Sequence, residues 1–171
     1  PRGLRRPHEA VDYAELVRAY PPAPEYFDAT YTASPEAIEH QQLARLQHRA
    51  MLAYQVPFFR KRWDAAGFHP GDLKRIDDLD SVPFYTVDDI RKSIEEHPPY
   101  GDYQSIRPDD AVREPMRIFM SGGTTGKSRP TLYTQWDREV GAILTARALY
   151  MQGIRPGDVV LNAWAYSTHN G

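Results

Sequence analysis

Apolar positions in the first third of the chain recur at helical spacing, and prolines divide that pattern into pieces. A short helix is predicted over residues 12–19. The prolines of residues 21–24 predict a stiff extended connector, because proline cannot continue a helix. Ser34 then caps a helix that starts with proline at its first position. Apolar residues at near-helical spacing extend this helix to Tyr54.

Two shorter helices are predicted next. One covers residues 58–63 after Pro57 and is stopped by Gly67. The other covers residues 90–96, where Thr86 and the acids that follow it have the character of a capping box. Residues 99–115 show no sustained period, which is typical of a surface loop.

Side chains in these helices are expected to have structural roles. Phe58, Phe59 and Trp63 are more typical of a core than of a recognition surface. The run Arg60-Lys61-Arg62 is expected on a solvated face, and Asp88-Asp89 is expected to cap a helix rather than to act as an acid/base pair.

The last third of the chain changes to strands around a loop. Residues 117–120 and 131–134 predict two short strands, and residues 159–166 predict a buried one. Between them lies a helix with an apolar stripe of Trp136, Val140, Leu144 and Ala148 or Met151. This order is typical of a layered α/β domain. Because a domain rarely ends on a buried strand, we expect the chain to be truncated.

Composition narrows the class of protein. The chain has 171 residues, with 21 Lys and Arg against 23 Asp and Glu, giving a net charge of −2. That balance excludes a strongly basic nucleic-acid binder. Apolar runs stay below the roughly 18 residues of a membrane span, and the first residues lack the apolar stretch of a signal peptide. We therefore expect a cytoplasmic protein with neither nucleic acid nor membrane as a partner.

The composition also removes two kinds of site. Zero cysteines exclude a thiolate metal site and a cysteine nucleophile. His40 and His48 lie eight positions apart on the long helix, where we expect them to face solvent. No carboxylate or further histidine completes a set with them, so no metal site is predicted.

The residues with the clearest chemistry form a loop rich in Gly, Ser and Thr. Glycines let backbone N–H groups converge on one point, while hydroxyls and cations add donors, as polyphosphate binding requires. Three interpretations are open: a phosphate loop, a Walker A loop, and a hairpin turn that merely connects two strands. A Walker A loop has glycine at the position of Ser121 and opens a helix, whereas a strand is predicted here. The loop residues are Ser121, Gly122, Gly123, Thr124, Thr125, Gly126, Lys127, Ser128, Arg129 and Pro130.

This loop resembles the signature of the adenylate-forming superfamily, in which a Ser/Thr/Gly-rich segment wraps the phosphates of ATP. Within that superfamily the chain is similar to the phenylacetate-coenzyme A ligase family. The resemblance spans most of the chain, because separate motifs occur in the same order. They are residues 34–36, 56–63, 79–84, 153–158 and 162–166.

The resemblance implies a fold and a set of site residues. The fold is α/β: a mostly helical N-terminal region, residues 1–115, followed at 116–171 by the start of a layered adenylate-forming large domain. Tyr166 and His169 would line the acyl pocket. The residues that hold the ribose, bind Mg²⁺ and supply the adenylation lysine would lie beyond position 171. The ATP phosphates would be bound by Ser121, Gly122, Gly123, Thr124, Thr125, Gly126 and Lys127, with Lys127 as the catalytic residue.

The chain departs from the family pattern at several positions. Gly122 replaces a serine and Ser128 replaces a proline, so one phosphate-facing hydroxyl is lost. Arg129 stands where the wider superfamily often has lysine, which keeps the charge on a planar group. His169 stands where a phenylalanine is expected, which indicates a more polar acyl pocket.

The resemblance implies an enzyme that uses ATP and Mg²⁺ to activate a carboxylic acid as an acyl-adenylate and transfers it to coenzyme A. We expect this small-molecule acid to be aromatic, and we expect the 171-residue stretch alone to be inactive. The resemblance leaves open whether the protein forms a homodimer. One alternative is transfer to a carrier-protein thiol or another acceptor. A second is a non-catalytic nucleotide-binding module, which the departures at Gly122 and Ser128 would fit.

Overall fold

The structure, a computed structural model, describes residues 6–107, 114–121 and 128–163. These residues divide into two compact units, one of Pro1–Thr32 with Arg107–Gly171 and the other of Ala33–Ile106. We call them the terminal unit and the central unit. The helices are α1 (Tyr13–Ala19), α2 (Ala23–Thr32), α3 (Pro35–Tyr54), α4 (Pro57–Ala65), α5 (Val87–Glu96) and α6 (Gln135–Met151), and the strands are β1 (Met116–Met120) and β2 (Pro130–Thr134). Short 3₁₀ turns span Pro7–Glu9, Pro70–Asp72 and Ile76–Ser81.

Helix starts in the structure follow the capping signals of the sequence. In α1 the Asp12 carboxylate accepts the N–H groups of Ala14 and Glu15. In α3 the Ser34 hydroxyl accepts the N–H of Ala37 at 3.2 Å. The predicted helices in these two places are confirmed, because a side-chain oxygen satisfies N–H groups that have no partner inside the helix.

The predicted connector at residues 21–24 is wrong. Helix α2 begins at Ala23 and continues to Thr32, with Pro24 in its first turn. Proline is tolerated there, since the first N–H groups of a helix have no partner within it and the fixed φ of proline suits helical backbone. The proline run therefore marks a helix start as well as the end of α1.

The central unit packs its aromatic residues inside. Trp63 is 5% exposed and packs with Ala50, Phe68 and Leu73, which is 1% exposed. Phe58 belongs to a second cluster with Val56 and Ile90, and Phe59 packs against both clusters. The prediction that the aromatic residues of α4 are core residues is confirmed.

The predicted solvated face of α4 is only partly present. Arg60 and Lys61 are exposed, whereas Arg62 is half-buried. The Arg62 guanidinium lies 4.6 Å from the centre of the Phe58 ring and 2.5 Å from the Asp89 carboxylate. Arg62 is thus shielded from solvent by an ion pair with a carboxylate on α5. The sequence of α4 alone could not predict this contact, because the partner lies on another helix.

Asp89 combines a helix cap with this ion pair. Its carboxylate accepts both the N–H and the hydroxyl of Thr86, at 2.7 and 2.8 Å, and the Thr86 hydroxyl accepts the N–H of Asp89 in return. The bonds from Thr86, backbone first, hold the pKa of Asp89 below its usual 3.8, and Arg62 lowers it further. The predicted capping box is confirmed. The same carboxylate joins α5 to α4 through its ion pair with Arg62.

Acid is expected to weaken the central unit through this carboxylate. A group whose pKa is lower in the folded state stabilises the fold above its ordinary pKa, and this stability is lost as the pH falls through the lowered value. The free energy of unfolding should therefore decline below about pH 5. Urea unfolding followed by circular dichroism at several pH values measures this decline. Asp89→Asn should flatten the curve, while Asp80→Asn, at an exposed position, should keep its shape; equal slopes for Asp89→Asn and the unaltered chain would contradict the assignment.

A buried hydroxyl of α5 binds the segment that follows this helix. Ser93 is 3% exposed, and its hydroxyl donates to the Asp102 carboxylate at 2.7 Å while accepting the Asp102 N–H at 2.9 Å. Gly101 has a φ of 76°, and a Cβ at this position would lie 2.6 Å from the Tyr103 ring. Only glycine fits this turn without displacement, because the backbone is left-handed and the space is already filled.

The terminal unit contains a β-hairpin followed directly by α6. Strands β1 and β2 pair antiparallel, with Met116 opposite Thr134 and Met120 opposite Pro130. The predicted strands and the helix after them are confirmed. The predicted apolar stripe of α6 is not buried as expected, since Leu144 and Met151 are 48% and 68% exposed, whereas Arg147 is only 8% exposed. The guanidinium of Arg147 contacts the N-terminal residues. The spacing of hydrophobic residues cannot predict such a polar contact.

The predicted buried strand at the end of the chain is wrong over residues 159–163. These residues have no regular structure, and Val159 and Leu161 are 99% and 92% exposed. A strand needs a neighbour to satisfy its backbone groups. In the described part of the chain, pairing is confined to β1 and β2.

Candidate functional site

The base of the candidate phosphate loop is closed by hydrogen bonds from Ser121 and Arg129. The N–H of Ser121 donates to the carbonyl of Arg129 at 2.9 Å, and the N–H of Arg129 donates to the Ser121 hydroxyl oxygen at 3.0 Å. These bonds continue the register of β1 and β2 by one residue pair, since Met120 lies opposite Pro130. The loop therefore leaves and re-enters a paired β-hairpin.

The loop tip itself, Gly122, Gly123, Thr124, Thr125, Gly126 and Lys127, lies outside the described residues. The structure places Ser121 at one end of the loop and Arg129, half-buried, at the other. The hydrogen of the Ser121 hydroxyl is not used in the bond from Arg129, because the oxygen acts there as the acceptor. Ser121 can thus close the loop and donate a hydrogen bond at the same time.

The element after the loop decides between two of the interpretations. A Walker A lysine is followed directly by a helix, so that phosphate sits at the helix N-terminus. Here Pro130–Thr134 forms β2, and α6 begins only at Gln135. The Walker A interpretation is therefore wrong, while a phosphate loop of another type and a plain connecting turn both fit a hairpin.

Helix α6 starts immediately after β2 and is capped by the last residue of that strand. The Thr134 hydroxyl accepts the Asp137 N–H at 3.1 Å, and the Asp137 carboxylate accepts the Thr134 N–H at 2.9 Å. This reciprocal capping box fixes the helix start relative to the strand that leaves the loop. The start of α6 is thereby joined directly to the end of β2.

Polar and aromatic contacts hold α6 against α1, the Pro21 carbonyl and α2. The Tyr13 hydroxyl donates to Glu139 at 3.2 Å, and partial desolvation together with that carboxylate raises the pKa of Tyr13. Arg147 donates to the Pro21 carbonyl at 2.6 and 3.1 Å. Farther along, the rings of Phe27 and Tyr150 stack at 6.0 Å.

The Arg147 side chain makes the most extensive of these contacts. Its guanidinium lies 3.7 Å from the centre of the Tyr26 ring, so its charge is covered by an aromatic face as well as by the Pro21 carbonyl. Sequence reasoning missed this residue. A signal was present, because Arg147 lies three positions after Leu144 and seven after Val140, which places it on the face of α6 where the apolar stripe was expected.

The other predicted site features can be placed only in part. Tyr166 and His169, the expected acyl-pocket residues, lie outside the described residues. Over residues 6–107, 114–121 and 128–163, no group of three or more His, Cys, Asp or Glu side chains is arranged to hold a metal ion. No helix within those ranges is long and apolar enough to cross a membrane. His40 and His48 are exposed, as expected.

Comparison of the sequence with known proteins finds phenylacetate-coenzyme A ligases. The protein of that name from Aromatoleum evansii is 35% identical over 151 residues, which is 88% of this chain and 32% of the relative. The one from Pseudomonas putida is 36% identical over 145 residues, 84% of this chain and 31% of the relative. The chain thus spans about a third of the length of the curated relatives it matches. No family model matches the chain.

Comparison of the fold finds solved structures of 2-hydroxyisobutyryl-CoA ligase. One, in complex with 2-HIB-AMP and CoA in the thioesterification state, superposes with a TM-score of 0.66 at 33% identity. The match covers 74% of this chain and 26% of that one. A second structure, an open conformation with the same ligands, gives a TM-score of 0.62.

Sequence and fold agree on the same group of proteins. The expected fold class, a helical N-terminal region with the beginning of an α/β large domain, is confirmed by the match to part of an adenylate-forming ligase. The chain is therefore similar in sequence to phenylacetate-coenzyme A ligases and in fold to part of a solved adenylate-forming ligase, and it matches about a third of the length of these proteins.

Proposed function

We propose that this chain is part of an AMP-forming acid–coenzyme A ligase. The observation that carries the proposal is the loop of residues 121–130, which has the composition of a phosphate-binding loop and leaves a closed hairpin. It lies in a chain 33–36% identical to proteins named phenylacetate-coenzyme A ligase. The solved 2-hydroxyisobutyryl-CoA ligase that shares this fold binds 2-HIB-AMP and CoA, which supports ATP and coenzyme A as cosubstrates here.

The reaction explains why such a loop is needed. A carboxylate oxygen of the acid attacks the α-phosphorus of ATP, and pyrophosphate leaves with the electrons of the broken P–O bond. The thiol of coenzyme A, having lost its proton, then attacks the acyl carbon, and AMP leaves from the mixed anhydride. Charge gathers on the departing pyrophosphate in the first step, so donors aimed at it lower the barrier rather than only tightening binding.

Residues of this chain would supply part of those donors. Thr124, Thr125 and Lys127 provide hydroxyls and one cation, and the Ser121 hydroxyl retains its hydrogen for donation. Oriented backbone N–H groups of a glycine-rich turn add to them. Mg²⁺ would neutralise phosphate charge when bound, and the resemblance assigns its ligands to positions beyond this chain.

We further propose that the acid is aromatic and that the isolated chain has no ligase activity. The names of the curated relatives support the first part, and Tyr166 could stack on an aryl group. The length comparison supports the second, because about two thirds of a relative's length has no counterpart in this chain. The residues proposed to bind ribose and Mg²⁺ fall in that missing length.

A panel of aryl and alkyl acids tests this proposal in the complete ligase. We expect acid-dependent exchange of labelled pyrophosphate into ATP, followed by thioester formation when coenzyme A is added. Exchange without thioester formation would indicate that the acyl group is transferred to a carrier-protein thiol rather than to coenzyme A. Nucleotide binding with no exchange for any acid would favour the non-catalytic module, and thioester formation by residues 1–171 alone would contradict the proposed division of the site.

A further inference from the structure

A groove of about 340 Å³ lies between α4 and α5, entirely within the central unit. Residues on one face of each helix line it, among them Lys61 and Ala65 of α4 and Lys92 and Glu96 of α5, at helical spacing. Its size is at the low end of the range for small-molecule sites. None of its lining residues belongs to the loop at 121–130, so the groove can be considered independently of the proposed function.

The carboxylates that line the groove already have partners. Asp89 is held by Thr86 and Arg62. Asp102 accepts the hydroxyl of Ser93 at 2.7 Å and has the His97 ring 3.7 Å from its other oxygen. Their capacity to accept further hydrogen bonds from a ligand is therefore largely used.

The lysines of the groove, in contrast, keep donors for a ligand. Lys61 makes no ion pair within the described residues and is exposed. Lys92 meets Glu96 only at 3.8 Å, and its side chain is 73% exposed. One lysine lines the groove from α4 and the other from α5, so each wall offers a cation to a negative group bound in the groove.

The other residues of the groove favour a ligand in which an apolar group is attached to the negative group. Phe58 and Ala65 line it, and the Phe58 ring is held in place by Arg62 over its face and by the Tyr103 ring at its edge. Three carboxylates, Asp89, Glu96 and Asp102, also lie along the walls. They offset the positive charges of Lys61, Arg62 and Lys92, so the groove has no excess of positive charge that would favour a dianion such as phosphate over a singly charged carboxylate.

We propose that this groove binds a small organic carboxylate, with the negative group between Lys61 and Lys92 and the apolar body against Phe58 and Ala65. The pairs Arg62–Asp89 and Ser93–Asp102 form the rigid part of the walls. All of the residues that form this site belong to the central unit, and none of them belongs to the candidate phosphate loop.

Titration of the ¹⁵N-labelled full chain with sodium benzoate, followed by NMR, tests the proposal. Amide shifts should saturate and cluster at residues 58–65 and 89–97. Replacing Lys61 and Lys92 together by methionine should weaken binding about fivefold or more, as expected for the loss of two exposed charge contacts. Lys74→Met, an exposed lysine of the same unit outside the groove, is the matched control and should bind benzoate like the unaltered chain.

Further ligands separate the parts of the proposal. Benzamide should bind more weakly than benzoate, since it lacks the charge, and acetate more weakly still, since it lacks the ring. Inorganic phosphate binding as tightly as benzoate would overturn the assignment, as would shifts spread over the whole chain or unchanged affinity in the double variant. If that variant fails to fold, the salt dependence of the unaltered chain decides: affinity that does not fall between low salt and about 0.5 M would overturn the lysine contacts.

Discussion

Lys127→Ala is expected to slow ATP–pyrophosphate exchange by the complete ligase about a hundredfold to a thousandfold, the usual effect of removing one donor from a developing negative charge. The free energy of unfolding should change by no more than about 0.5 kcal/mol. The reason for this difference is the hairpin base, where Ser121 and Arg129 close the loop without using the Lys127 side chain. Exchange kinetics and urea unfolding measure the two quantities.

Two further variants interpret that result. Lys127→Arg keeps a positive charge and should retain more activity than alanine, although the planar guanidinium aims its donors differently. Lys74→Ala removes an exposed lysine in the other unit and should leave exchange unchanged. An unaltered exchange rate with full nucleotide affinity in Lys127→Ala would remove the residue from the phosphate site.

Trp63→Ala is expected to destabilise the central unit by about 3–5 kcal/mol, the usual cost of truncating a buried tryptophan. Trp63 is 5% exposed and contacts the rings of Tyr54, Phe59 and Phe68 at 5.2–6.3 Å between centroids. Alanine would leave a cavity among side chains of α3, α4 and the segment that follows α4. Urea unfolding followed by circular dichroism measures the loss.

The matched variants distinguish packing from polarity. Trp63→Phe should cost less than alanine, because the ring remains and the indole Nε1 has no hydrogen-bond partner among the described residues. Phe84→Ala removes a ring that is 85% exposed and should change stability by about 0.5 kcal/mol or less. Equal losses for Trp63→Ala and Phe84→Ala would show that the core does not depend on Trp63.

Features that depend on neighbouring residues could be predicted from the sequence. The caps at Asp12, Ser34 and Thr86 each bind an N–H two or three positions away, so a short motif contains all of their geometry. The hairpin follows from two apolar runs flanking a glycine-rich loop in the same way. The family resemblance added what no local pattern holds, which is the role of that loop.

Features that depend on distant residues could not be predicted. Arg147 is buried because of a carbonyl 126 positions earlier in the chain. Arg62 is half-buried because of a carboxylate on a different helix. The apolar residues 159–161 predict a buried strand, but hydropathy does not show whether another strand is close enough to pair with it. For the acyl-pocket positions Tyr166 and His169, the prediction stays a prediction.

The bond between Arg147 and the Pro21 carbonyl has a consequence for the order in which the protein forms during synthesis. The central unit, Ala33–Ile106, is continuous in the chain and can fold as soon as it leaves the ribosome. Helices α1 and α2 are made earlier, but their partner α6 emerges more than a hundred residues later. We therefore expect the first helices to wait, with Tyr26 and Phe27 uncovered, which makes them a natural binding segment for a chaperone on the nascent chain.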